Sequence, residues 1–220
     1  MSKLAKKLDA HFVAVAAAAG AAAMGAAQKA DAAIVYSGVV NIPIASSTNG
    51  LYLNVVTGVI NEPGNTTGAT VPGWDINPWS STALNFFNPA APAGGVYVQR
   101  VGGGGTANLP VGEIIGAAPS GGRLYGASTA ATTGNDPFVL NSADNIVGFR
   151  FQNEANGNAT HYGWFRVSLS TTLSAQPRLL VEYAYEDVAG ADIAAGAIPA
   201  PGSLALLALG AVGVAGRRRK

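Results

Sequence analysis

Three stretches of the chain alternate apolar and polar positions with a period of two. In "NIVGFRFQ", Val147, Phe149 and Phe151 fall on one side, with Arg150 and Gln152 on the other. In "YGWFRVSLS", Phe165, Val167 and Leu169 share a side opposite Trp164, Arg166 and Ser168. In "RLLVEYAYE", Leu179, Val181, Tyr183 and Tyr185 oppose Leu180, Glu182, Ala184 and Glu186. Side chains alternate between the two faces of a strand, so this pattern in β-branched and aromatic residues predicts three half-buried strands. The turn-forming connections "NEANGNATH" and "TTLSAQP" predict an antiparallel meander. If Ser170 opposes Arg178 in the last hairpin, Arg166 faces Glu182 on the outward side as a cross-strand ion pair.

Shorter apolar runs predict further strands at 34–37, 51–60, 84–87, 96–101, 112–115 and 138–140, separated by Gly, Pro, Asn, Ser and Thr. No part of the body keeps a helical period, and none repeats at a fixed interval. Many short strands with Gly/Pro turns predict an all-β fold, an antiparallel β-sandwich of jelly-roll-like form, over residues 33–188. Residues 189–198 read as a small-residue linker.

The ends follow a different pattern. Three lysines precede an apolar stretch from Phe12 to about Ala27, followed by Ala30-Asp31-Ala32. A basic start, a short apolar segment and a small-x-small site predict a signal peptide over residues 1–32, helical and cleaved near Ala32. At the other end, Pro199 and Pro201 stop regular structure and Ser203 can cap a following helix. Leu204 to Gly216 would reach about 20 Å as a helix, against about 30 Å for a hydrocarbon core. The closing Arg-Arg-Arg-Lys would stay cytoplasmic, holding the body outside. This is a weak stop, suited to transient anchoring in the inner membrane.

That combination resembles the PEP-CTERM sorting signal of Gram-negative bacteria, over residues 199–220. The residues carrying the resemblance are Pro199, Ala200, Pro201 and Gly202, then Arg217, Arg218 and Arg219. The family's central Glu is Ala200 here. The stretches "LLVEYAYEDVAGADIAAGAIPAPG" and "YGWFRVSL" also look like the final strands of such proteins. The resemblance implies an exported protein recognised by a membrane-embedded exosortase, in a host that makes extracellular polysaccharide. The tail also goes under a label borrowed from an ice-binding protein, and that label carries no activity. Ice binding would want a flat array of threonines, whereas Thr66-Thr67, Thr132-Thr133 and Thr171-Thr172 are scattered.

The formal net charge of +1 hides a division along the chain. Eight of the 13 cations lie in the two ends, leaving residues 33–200 with five arginines, ten carboxylates and a net charge of −5. Such a body offers nothing to a phosphate backbone, so no nucleic-acid partner is expected. With no cysteine there is no disulfide, thiolate nucleophile or thiolate metal site.

Candidate chemistry is sparse. His161 is the one histidine of the mature chain and reads as a turn or strand-end residue. There is no G-x-S-x-G elbow. Glu182 and Glu186 share a strand face but stand about 13 Å apart, too far for a glycosidase pair. A cross-strand carboxylate such as Asp75 or Asp144 remains open as a partner. Gly102 to Gly105 lack a following Lys-Ser or Lys-Thr, so the run reads as a flexible turn rather than a phosphate loop. Asp75, Asn77, Asp136 and Asp144 could offer oxygen ligands to calcium but form no spaced calcium loop, and no metal or other cofactor is expected.

"VPGWDINPWSS" has two readings. Trp74 and Trp79 flanking Asp75 and Asn77 could present rings and polar groups to a sugar, or the rings could plug one end of the sandwich. Trp164 beside Arg166 and Arg150 forms a second candidate patch, whose alternative is a covering loop or cation–π packing. The expectation is a non-enzymatic exported protein of the cell surface or extracellular matrix, structural or interactive in role and linked to exopolysaccharide. The alternatives are a lectin-like carbohydrate-binding module using Trp74, Asp75, Asn77 and Trp79, and a secreted hydrolase whose carboxylates meet only in the fold.

Overall fold

A computed structural model describes residues 33–199. The signal helix expected over 1–32 and the apolar helix expected in the tail both lie outside the described residues.

The three alternating stretches are the strands β8 (Ser142–Asn153), β9 (Ala159–Leu169) and β10 (Leu179–Glu186). They form the antiparallel meander at the centre of a seven-stranded sheet. The short strands β1 (Ile34–Tyr36) and β2 (Ile42–Pro43) pair with β10. On the other side, β5 (Tyr97–Val98) pairs with β8, and β7 (Tyr125–Gly126) with β5. Two small antiparallel pairs stand apart from this sheet: β3 (Asn77–Trp79) with β4 (Asn85–Phe87), and β6 (Ile114–Ile115) with β11 (Ile193–Ala194). Among the described residues the helical segments are all single 3₁₀ turns.

Most expected strands are present but shorter. The 51–60 stretch is the main departure. Leu53 bridges both Ile60 and Ile76, and a turn lies between the first two. The Asn54 side chain holds that turn by accepting from the backbone N–H groups of Val56 and Thr57 at 3.0 and 2.9 Å. Residues 138–140 also form no strand. Residues 189–198, read as the linker to the tail, carry β11 and bury Ile193 and Ala195.

The last hairpin confirms one pairing and shifts another. Arg166 lies opposite Glu182, with Nε donating to Oε1 at 2.7 Å. Below that pair the register slips by one residue, so that Leu180 opposes Val167 and Leu179 opposes Ser168; Ser170 does not oppose Arg178. Val181 is the extra residue, and its carbonyl accepts from the N–H groups of both Val40 and Asn41 at 2.8 and 3.1 Å. A bulge reverses the faces on either side of it. Leu180 therefore joins Tyr183 and Tyr185 in the core, where strict alternation had placed it on the other side.

The central strands are buried on both faces rather than one. On one face Val147, Phe149, Phe151, Phe165 and Val167 pack beneath Ile44, Leu51, Leu53, Leu84 and Phe86. On the other, Ile146, Tyr162, Trp164 and Ala184 pack beneath Ala107, Leu109, Ile115, Ile193 and Ala195. Trp164, expected outward, is fully buried, and its Nε1–H donates to the carbonyl of Ala197 at 3.0 Å. The C-terminal segment is its cover, with the Arg166 guanidinium 5.8 Å from the ring centroid. Arg150 sits instead over the Tyr125 ring at 4.3 Å. The second candidate patch is thus interior packing.

Candidate functional site

The stretch around Trp74 divides between interior and surface. Asp75 and Asn77 are 3% and 1% exposed. The Asp75 Oδ2 accepts from the Val55 N–H at 2.8 Å. The Asn77 amide donates to the carbonyls of Asn49 and Leu51, each at 2.9 Å, while its backbone N–H donates to Tyr97 Oη at 2.8 Å. Tyr97 Oη in turn donates to the Phe87 carbonyl at 3.0 Å. These polar groups fasten the β3–β4 hairpin and the 49–55 chain to the sheet.

Trp74 is half-buried and lies within an aromatic group. Its ring stacks on Phe87, with centroids 5.8 Å apart and planes at 20°, and meets Tyr52 edge-on at 4.9 Å. Trp79, also half-buried, makes no ring contact among the described residues. The structure therefore joins Trp74 to Tyr52 and Phe87 rather than to Trp79. Alternation could have singled out both partners: Tyr52 lies between the core residues Leu51 and Leu53, and Phe87 follows the core residue Phe86.

Burial pushes the Asp75 carboxyl from 3.8 up to about 8, with the Val55 hydrogen bond opposing and Glu154 adding to the rise. The folded chain therefore holds a proton that the unfolded chain has lost across that window. Stability through this group is present at acidic pH and declines as pH rises towards 8. Below pH 4 the sign reverses at Asp136, whose carboxyl is held down by the Arg123 hydrogen bond. The urea midpoint is expected to fall between pH 5 and 8, and Asp75→Asn to flatten that fall. A wild-type midpoint constant over pH 5–8 would show that Asp75 does not titrate there.

The other candidates are structural in geometry. His161 is a fully buried residue of β9; its Nδ1 lies 2.8 Å from the Glu186 carbonyl, and the Asn156 amide approaches Nε2 at 3.1 Å. A carbonyl partner requires an N–H at Nδ1, which leaves Nε2 as acceptor. Glu186 is 1% exposed and accepts from the Val188 N–H. Glu182 is held by Tyr36 Oη at 2.5 Å and by Arg166, whose Nη1 also reaches Asp144 at 3.3 Å. Arg166, Asp144 and Asp136 line a groove of about 480 Å³ together with Leu109, Val111 and Val139. Asp136 is paired with Arg123 at 2.5 Å, and Glu113 with the same guanidinium at 2.6 Å. Among the described residues no three carboxylates or histidines gather as a metal site. Gly102, Gly103 and Gly104 form a turn of left-handed residues.

Pro199 is exposed at the end of the described residues, two positions beyond the Trp164–Ala197 hydrogen bond. Ala200, Pro201, Gly202, Arg217, Arg218 and Arg219 lie outside them. Compared with known families, residues 197–220 match one model. The C-terminal tail is a PEP-CTERM protein-sorting motif. The motif marks the chain as an exported protein targeted to exosortase. It departs from the family's Pro-Glu-Pro at Ala200 and retains the closing arginines. No curated protein and no solved structure matches the chain. Among the described residues no helix is long and apolar enough to cross a membrane.

Proposed function

We propose that the chain is delivered through the inner membrane of a Gram-negative bacterium by a signal peptide over 1–32. Its tail over 199–220 holds it there until exosortase processes it, and the body is then displayed at the cell surface or in the extracellular matrix. The body acts as a β-sandwich without catalytic activity, in a structural or interaction role linked to exopolysaccharide. The observation that carries this reading is the sorting motif joined to a body folded almost to the motif's first proline. The sandwich reading is supported by the layer of β3, β4 and their loops over the sheet. Residues 33–188 form its main part.

Two observations favour rival roles. The open aromatic group at Trp74 favours a lectin-like module. The meeting of Asp144 and Glu182 at Arg166 is what a hydrolase would have to use, although there the guanidinium engages both carboxylates. The primary test is the intact mass of the protein recovered from cells, membranes and medium of the native host. Loss of both ends, near Ala32 and near Pro199–Pro201, is the expected result. A mature chain that still carries Arg217 to Lys220 would refute exosortase processing and leave the tail as a plain anchor.

A further inference from the structure

Phe87 is 52% exposed although it belongs to a strand whose previous residue, Phe86, lies in the core. Its ring is backed by Trp74, and Trp74 is braced edge-on by Tyr52. An aromatic stack left open to solvent is informative in a way that a single exposed aliphatic residue is not. Neither Tyr52 Oη nor Trp74 Nε1 is hydrogen-bonded to another of the described residues, and neither is a buried orphan. The group thus offers a ring face, an indole donor and a phenol hydroxyl together.

The surroundings are built to hold it. Phe87 is fixed through its carbonyl by Tyr97, which is fixed by Asn77. The turn at Gly68–Thr70 lies against the ring edges. A Cβ at Gly68 would stand 2.6 Å from Tyr52 Cε1 and 2.8 Å from Trp74 Nε1, so only glycine lets that chain come so close. The same loop brings the exposed side chains of Glu62, Thr67 and Thr70. Hydroxyl and carboxylate groups on a loop that abuts Tyr52 and Trp74 match the mixed polarity of a pyranose, whose C–H face is apolar and whose rim is hydroxylated.

Charge narrows the class. Residues 32–99, which supply the whole group, contain no Lys or Arg, while Glu62 is the exposed acid of that segment and the exposed Glu154 lies against Gly73, next to Trp74. A uronate, sulfate or phosphate would meet no cation from that segment, and the body's net charge of −5 would repel it. A β-linked chain with equatorial hydroxyls presents the broadest C–H face to a ring.

We propose that Tyr52, Trp74 and Phe87 form a binding platform for a neutral, β-linked glycan. This deepens the interaction role proposed above and rests on that reading for its biological setting, while the binding itself does not depend on export. The test uses the purified full-length chain, with tryptophan emission followed during titration with cellohexaose, chitohexaose and anionic hexagalacturonate. A saturable change with a neutral hexaose is expected, and Phe87→Ala should weaken it by about tenfold, as for loss of one aromatic contact. Phe87→Tyr should retain binding. Leu124→Ala, which trims an exposed apolar side chain elsewhere, should leave it unchanged. Unaltered circular dichroism would show that Phe87→Ala remains folded. The platform is refuted by no saturable response to either neutral hexaose, by a response that survives Phe87→Ala, or by hexagalacturonate binding as well. Correct processing in the host without glycan binding would remove the platform alone. Glycan binding by a chain that keeps its tail would remove only the sorting role.

Discussion

Arg178→Met is expected to destabilise the body by about 3–5 kcal/mol, read as a lower urea midpoint with an unchanged slope. Arg178 is fully buried, and among the described residues no carboxylate meets it. Its guanidinium donates instead to five backbone carbonyls: Ile44 at 3.2 Å, Ala83 at 2.7 Å, Leu173 at 2.8 Å, Ala45 at 2.8 Å and Ser80 at 3.2 Å. Burial pulls its pKa down to about 10, so it remains charged at neutral pH. One side chain thereby ties the end of β2, the loop between β3 and β4, and the turn before β10. Methionine fills much of the volume but leaves buried carbonyls unpaired, and each costs about 1–3 kcal/mol where water cannot replace the donor. Lysine has one nitrogen on a flexible stem and cannot serve five acceptors in a plane, so Arg178→Lys should rescue little. A loss below about 1 kcal/mol for Arg178→Met would mean that water reaches these carbonyls.

Gly163→Val should cost about 3 kcal/mol or more, and should lower the yield of folded protein as well as the midpoint. In the central pairing Gly163 lies opposite Phe149, and Gly148 opposite Trp164. Gly163 leaves room for the Phe149 ring across the strand. A Cβ at Gly163 would stand 2.6 Å from Phe149 Cζ and 2.7 Å from the Ala184 carbonyl. One neighbour is a rigid ring fully buried among Phe151 and Phe165, and the other is backbone of β10. Neither can withdraw cheaply. At Gly148 the neighbours are the ends of Leu109, Val98 and Ile115, which can rotate, so Gly148→Ala should be the milder change. Equal midpoints for wild type and Gly163→Val would show that the sheet opens more easily than this packing allows.

The meander was legible because β8, β9 and β10 are long, and alternation over eight or more residues admits few other conformations. The Arg166–Glu182 pair followed from register alone. The bulge at Val181 was not legible, since it depends on Val40 and Asn41, some 140 positions away. Two-residue strands such as β6 and β11 leave no period to read, and Ile193 and Ala195 look like linker residues until they cover Trp164. In the candidate site, Trp74 was visible as a motif, whereas its partners come from Tyr52 and Phe87 in other segments.

The sequence alone determined the all-β class, the central meander, the acidic body and the sorting tail. Each rests on local chemistry: side-chain period, turn residues, charge, or a contiguous motif of apolar and basic positions. The tertiary structure decided that the sheet is covered on both faces. It also decided that Arg178 serves backbone carbonyls, and that Asp75 and Asn77 brace the interior while Tyr52 and Phe87 join Trp74. Those outcomes depend on which distant segments come to lie over each face, and a side chain carries no local mark of the partner that will bury it.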